Sequence, residues 1–530
     1  MMARFLWRVY LVMTTFTIHK AVSDPAHWKQ LAEKELNKAL NRKLNTNKAR
    51  NVILFIGDGM GMSTVTAARI LRGQTQGATG EETVLEFEKF PNVGLSKTYS
   101  NDRQTTDSAS TATAMMCGQK TNYHLVGLND QAIAENCTSA HGNEIPCAFD
   151  WFRMDGRSVG IVTTAKITHA TPACAYAKSA TRNWEGDVDM PAGMTGGCKD
   201  IAHQLIYNNS YAKVILGGGR QFFLGRNDSD PERNLTNTHK QRLDGLDLTQ
   251  VWQDEKDGDN MSAKYVWNKA QFDAINPDNT DYILGLFEPD HMQFELDRDH
   301  GPEGEPSLAE MTRKAIQVLQ KDQNGFFLMV EGARIDHAHH DNNAKRSLHE
   351  VLALEDAVKV ATELTSESDT LLLVTADHSH VFNIAGYPKR GNDIFGVVDN
   401  VGDSVADDGI PFTTLLYGNG ISYDWGNRTN VSAVDTTDKE YLQVAAAPRS
   451  SETHAGEDVG IYASGPMSHL IHGVHEQHYI AHVISYAACV GENKQRCEYQ
   501  PEPNAANPVY HFITYLCVMC VSQYLIRLYV

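Results

Sequence analysis

Continuous apolar runs closed by a carboxylate constrain this chain more than any other feature. Asn51-Val-Ile-Leu-Phe-Ile-Gly-Asp58, Phe326-Phe-Leu-Met-Val-Glu331 and Leu371-Leu-Leu-Val-Thr-Ala-Asp377 have strand length and no polar alternation. Such runs fit strands covered on both faces, as in the parallel sheets of α/β proteins. In those sheets ligands gather beyond the carboxyl ends of the strands. Two further stretches, Thr106-Asp-Ser108-Ala-Ser-Thr-Ala and Glu452-Thr-His454, place a hydroxyl and an imidazole in similar settings. Together they read as a multi-metal hydrolytic centre around a hydroxyl nucleophile.

The intervening patterns agree. Helices are predicted at Gly61–Leu71, Ser108–Gly118, Asn343–Leu364 and Glu476–Ala488, with further strands at Val159–Thr163, Val214–Leu216 and Val459–Ala463. Leu348, Val351, Leu352, Leu354 and Val358 give the third helix its apolar face. Strand–helix alternation predicts an α/β fold: a large mixed, mostly parallel central sheet with helices on both faces. Residues 26–43 read as a polar surface helix and residues 225–305 as a long surface excursion. Residues 386–450, rich in Gly, Asp and Asn, read as a small inserted subdomain within a catalytic domain spanning 24–506.

The formal net charge of −19 over 530 residues leaves no basic face for nucleic acid. An anionic substrate must then be drawn in by local positive charge, which bound cations would supply. Residues 1–23 resemble a secretory signal. Small residues at 504–507 precede the hydrophobic tail 507–530, in the manner of a glycolipid-anchor signal at the outer cell surface. A single membrane-spanning helix is the alternative there. The nine cysteines fit a secreted chain. Cys489 and Cys497 bracket a short loop and Cys137 and Cys198 are a candidate long-range pair. Cys117, Cys147 and Cys174 are left without an assignment. Sequons at Asn136, Asn208, Asn227, Asn234, Asn260, Asn427 and Asn430 agree with secretion.

Asp58 ends a strand and precedes Gly59 and Gly61, which allow a tight turn beside a ligand; alone it would be an ordinary turn residue. Ser108 opens a predicted helix, where a helix cap is the bland reading. The functional reading is a nucleophile set against free N–H groups that favour an alkoxide or phosphate. No G-x-S-x-G elbow surrounds it, so its activation falls to a metal. Glu331-Gly-Ala-Arg-Ile-Asp336-His-Ala-His-His340 puts Asp336 and His340 one turn apart, and carboxylate beside imidazole suits zinc. Asp377 and His378 leave a buried strand together, which is costly without a cation. His454 fills a remaining coordination place, and Arg182 offers a guanidinium fork to phosphoryl oxygens.

These strings, together with Gly-Asp-Gly-Met-Gly and Ala-Asp-His-Ser-His, resemble the animal alkaline phosphatases from about Trp28 to Cys497. The resemblance implies hydrolysis of phosphate monoesters through a phosphoserine at Ser108. It implies two zinc ions and one magnesium. Asp336, His340 and His454 would hold the first zinc, Asp377 and His378 the second, with Asp58 bridging to magnesium and Thr171 and Glu331 completing the latter. Arg182 would clamp the phosphate. His169 and His337 stand where bacterial relatives carry Asp and Lys. A calcium would lie at Glu232, the Phe287 carbonyl, Glu288 and Glu305. A homodimer is implied, with Tyr387 in the contact.

Two rivals are weighed against this. A sulfatase on the same scaffold needs a C/S-x-P-x-R string that Ser108-Ala-Ser-Thr-Ala lacks, and a diesterase would usually carry Thr as nucleophile and lack Arg182. A catalytically silent surface protein would not be expected to keep a full ligand set.

Overall fold

The computed structural model describes residues 25–232, 240–399, 405–426 and 428–498. The predicted leader and hydrophobic tail, Asn234 and Asn427 lie outside them. The chain divides between Thr46 and Asn47 into two units. In the first, Pro25–Leu40 is a helix. Among the described residues no helix is long and apolar enough to cross a membrane.

The second unit is built on a ten-stranded sheet. Its members are β1 (Asn51–Gly57), β2 (Asn92–Lys97), β3 (Ser158–Lys166), β4 (Val214–Gly218), β5 (Ala263–Val266), β6 (Tyr282–Leu286), β7 (Phe326–Gly332), β8 (Thr370–Ala376), β13 (Val459–Ser464) and β14 (Gly473–Glu476). Short pieces β9 (Ser379–His380), β10 (Phe382–Ile384), β11 (Leu415–Tyr417) and β12 (His454–Ala455) form two ribbons, β10 with β11 and β9 with β12. The spatial order is β14-β2-β13-β8-β1-β7-β3-β4-β6-β5. Only β13 runs antiparallel to its neighbours β2 and β8. This is the mixed, mostly parallel sheet expected.

Every residue of β1, β7 and β8 is buried, which explains their unbroken apolar sequences. Alternate side chains of β1 enter different cores. Val52, Leu54 and Ile56 pack with Ala109, Met115 and Ile480. Ile53 and Phe55 pack with Leu308, Ile316, Leu348 and Val358. The helices Ser108–Cys117 and Tyr479–Ala488 therefore cover one face, and Leu308–Leu319 and Ala344–Leu364 the other.

Register does the rest. Gly57 pairs with Gly332 of β7 and with Ala376 of β8. Asp58, Glu331 and Asp377 consequently emerge at one edge, and Thr163 of β3 pairs with Glu331 there.

Two expectations change. The stretch 225–305 holds β5, β6 and the helix Leu248–Gly258, so it extends the sheet rather than looping over its surface. β5 is an edge strand with Lys264 exposed, which gives it a loop-like composition. The last helix starts at Tyr479, because Gly473–Glu476 are drawn into pairing with β2.

Candidate functional site

The edge formed by β1, β7 and β8 carries a concentration of buried acids. Asp58 and Asp377 have no exposure, Glu331 has none and Asp336 has 4%. Burial, then Asp377, Asp336 and Glu331, pushes the Asp58 carboxyl well above its usual range. Burial likewise raises Asp377. Glu331 is pushed up to about 7, by burial first, with Asp377 and Asp336 adding to it and a 2.5 Å bond from Thr163 Oγ1 opposing it. Buried like charges at such proximity call for cations.

Three ligand groups meet the edge. Asp336, His340, His380 and His454 bring their donor atoms together, as do Asp58, Asp336 and His378, and Asp58, His169 and Glu331. His340 Nε2 is 3.4 Å from Asp336 Oδ2, and His454 Nε2 is 3.3 Å from Asp336 Oδ1. Burial favours the neutral form of His340, although Asp336 pulls the other way. His454 Nδ1 meets the Thr106 carbonyl at 2.8 Å and His340 Nδ1 the Glu452 carbonyl at 2.6 Å. Each ring thus keeps Nε2 for a ligand, an arrangement that suits zinc. At the third group, Asp58 Oδ2, Glu331 Oε1 and Thr171 Oγ1 are buried without a hydrogen-bond partner. Orphaned oxygens of this kind fit a hard, oxygen-seeking cation.

Ser108 starts a helix that is buried along its whole length. Asp107 caps it, accepting from Ala109 N and Ser110 N at 3.3 Å each. Ser108 Oγ lies 3.5 Å from both Asp58 Oδ1 and His378 Nε2. That spacing is too long for strong hydrogen bonds and leaves the hydroxyl facing the ligand groups. Arg182 Nη1 is tied to Asp107 Oδ2 at 3.2 Å and its Nη2 donates to His169 Nε2 at 2.9 Å, which aims the fork beside Ser108. An open cleft of ≈ 380 Å³, lined by Thr105, Tyr123, His340, Arg449 and His454 among others, leads in from solvent.

Sequence reasoning quoted His380 and Glu452 within its strings but gave them no role. His380 Nε2 donates to Asp336 Oδ1 at 2.7 Å, and its Nδ1 donates to the buried Glu452 carboxylate. Despite burial, Glu452 and Asp336 push His380 up to about 10, which favours its protonated form between the two carboxylates. Asp336 is held well below its usual range against the push of burial, by His340 and His380. The available signal was the alternation in Asp377-His378-Ser379-His380, which separates the two rings by one residue of extended chain.

Of the calcium quartet, Glu288 and Glu305 come together under Gln293, which donates its Nε2 to Glu288 at 3.0 Å and its backbone N to Glu305 at 2.7 Å. Burial, then Glu288, pushes Glu305 up to about 9. Phe287 is buried at the end of β6. Glu232 turns to Arg220, 2.7 Å away. Disulfides join Cys137 to Cys198 and Cys489 to Cys497, and Cys117, at the end of the Ser108 helix, to Cys147. Cys174 is free and buried. Asn136, Asn208, Asn227, Asn260 and Asn430 are exposed.

The alkaline phosphatase family profile matches residues 49–490. The chain is 49% identical to the tissue-nonspecific alkaline phosphatase isozyme of Gallus gallus, over 94% of this chain and 96% of that protein. It is 48% identical to the Homo sapiens isozyme over 92% of each, and 49% identical to the Gadus morhua alkaline phosphatase over 89% and 98%. The solved alkaline phosphatase from Thermus thermophilus superposes with a TM-score of 0.60 at 24% identity, covering 85% of this chain and 93% of that one. That likeness concerns the fold.

Proposed function

The chain belongs to the alkaline phosphatase family and hydrolyses phosphate monoesters, and we propose that it does so by double displacement at Ser108. The carrying observation is the Ser108 hydroxyl, at a helix N-terminus, 3.5 Å from Asp58 and His378 at an edge crowded with unneutralised acids. The family implies metal cofactors, and the donor sets fit them. Asp336, His340 and His454 would hold one zinc, Asp377 and His378 a second. Asp58 would bridge to magnesium, with Thr171 and Glu331. When bound, such cations neutralise the acids, lower the pKa of a neighbouring hydroxyl and stabilise a departing oxygen.

Ser108 Oγ attacks phosphorus in line as the ester P–O bond breaks, leaving phosphoserine and the alcohol. Water then cleaves phosphoserine and releases inorganic phosphate. Arg182 takes the charge on the equatorial oxygens. His380 and Glu452 hold Asp336 in position. The open cleft makes few demands on the leaving group, which favours a broad range of esters.

The disulfides and exposed sequons support secretion, and the tail a lipid anchor at the outer membrane face. Glu305, whose Oε2 is buried without a hydrogen-bond partner, and Glu288 beside it support a calcium ion that Glu232 and the Phe287 carbonyl would complete. Tyr387, 75% exposed, supports a contact across a homodimer. The central test is hydrolysis of p-nitrophenyl phosphate by purified protein. Chelation should abolish it, zinc with magnesium should restore it, and Ser108→Ala should remove both turnover and labelling by ³²P. Undiminished turnover in zinc-free protein would sink the reading.

A further inference from the structure

Beside Arg182 stands a second cluster of imidazoles that the reaction above leaves largely unused. One ring nitrogen each from His169, His291 and His337 lies within 4.8 Å of the others. The ring centroids are 5.2 Å (His169–His291), 5.4 Å (His169–His337) and 4.3 Å (His291–His337) apart. All three residues are half-buried.

Three histidines could hold a metal, but their partners argue otherwise. Arg182 Nη2 faces His169 Nε2 at 2.9 Å, Arg334 Nη1 faces His337 Nδ1 at 3.2 Å, and the Lys166 backbone N faces His291 Nδ1 at 3.2 Å. Guanidinium and backbone N–H groups can only donate. Each ring therefore spends its lone pair on an obligate donor and carries its proton on the other nitrogen: Nδ1 of His169, Nε2 of His291 and Nε2 of His337. A metal would have to displace that donor from each ring, or force the opposite tautomer and leave the donor facing an N–H. The His169 Nδ1 so assigned is buried and has no hydrogen-bond partner. Lys166, Arg182 and Arg334 surround the cluster with fixed positive charge. Asp290 lies 3.6 Å from Lys166 Nζ and 3.8 Å from His291 Nε2, and Asp58 and Glu331 each bring a carboxylate oxygen within 4.8 Å of a His169 ring nitrogen on the side of the catalytic edge. Glu185 lies 2.8 Å from the same ammonium. Imidazole N–H groups clustered in a cationic frame are suited to an oxyanion.

We propose that His169, His291 and His337 form a second oxyanion subsite next to the phosphoryl position. It takes the further phosphoryl group of substrates phosphorylated on two neighbouring oxygens. The proposal rests on the reading of Ser108 and Arg182 given above, and it makes His291 a residue that sets specificity.

The test compares ethane-1,2-diyl bisphosphate with 2-hydroxyethyl phosphate, a pair that differs by one phosphoryl group. Loss of one hydrogen bond to a charged group corresponds to about tenfold or more. His291→Leu should raise KM for the bisphosphate about tenfold relative to the monophosphate, with the ratio of kcat values kept. His291→Gln, which restores an N–H near the Nε2 position, should recover most of that preference. Calorimetry on the Ser108→Ala holoprotein should reproduce the His291 dependence for binding alone. Equal effects on the two esters, or none, would overturn the subsite. So would a zinc equivalent per chain that His291→Leu removes. Failure of wild-type protein to hydrolyse either ester would instead condemn the reading of Ser108, while the calorimetry still decides the subsite.

Discussion

Glu350 offers a measurement of what the protein sacrifices to bury a carboxyl. It lies in the helix Ala344–Leu364 and is 1% exposed. Its Oε1 accepts the Glu295 backbone N–H at 2.5 Å. Burial is the largest influence, and despite Arg334 and Arg298 it pushes the carboxyl from 4.5 up to about 7. The folded pKa is above the unfolded one, so the folded state binds the extra proton. The contribution to stability is complete below about 4.5 and disappears as pH rises through about 7. By pH 8 folding forfeits about 3 kcal/mol, and at pH 5 under about 1 kcal/mol.

Glu350→Gln keeps the Oε1 acceptor and removes the titration. For a unit of this size about 1 kcal/mol moves Tm by about 1 °C. Calorimetric scans of variant and wild type at matched pH cancel the effects of metal loading. The variant should melt about 3 °C higher at pH 8 and within about 1 °C at pH 5. A variant no more stable than wild type at pH 8, or a gap that ignores pH, would refute the assignment of a buried, reluctantly ionised carboxyl.

Three further outcomes follow from the site and the core. Arg182→Ala removes the fork beside Ser108 and should lower kcat/KM for p-nitrophenyl phosphate by about 10²–10³-fold, with inhibition by free phosphate weakened alongside. Gly59 adopts φ +69°, and a Cβ there would stand 2.4 Å from His380 Nε2. Gly59→Ala should therefore dislodge the His380–Asp336 pair, costing at least about tenfold in zinc affinity by metal-buffered titration. Phe55→Ala, at a site with no exposure in the central strand, should cost about 3–5 kcal/mol, read from denaturant unfolding.

Much of the centre was legible because its acids end apolar strands. Asp58, Glu331 and Asp377 could be placed without any contact, since each closes a run that only a doubly covered strand explains. Asp336 and His340 followed from helical spacing, and the structure has that helix at Arg334–His340. What escaped lies where pattern carries no distance information. His380 and Glu452 meet through a two-residue ribbon that pairs His380 with His454, too short to leave a periodicity. His291 follows β6 in the polar stretch that read as surface. β5 itself was hidden because an edge strand with exposed Lys264 resembles a loop.

This division has a physical cause that bears on how the site is held. The clustered acids do not find one another through mutual attraction, since like charges repel. They are brought together by the register of β1 with β7 and β8, which the two apolar cores enforce. A slip of one residue in β7 would turn Glu331 to the opposite face of the sheet and detach it from Asp58. The cores thus store the work of assembling a repulsive cluster, and cations neutralise that cluster once it exists. Residues that do the assembling are apolar and periodic, so a sequence displays them. Residues that only adjust the result, such as His380, Glu452 and His291, sit in ribbons and loops whose neighbours the register chooses.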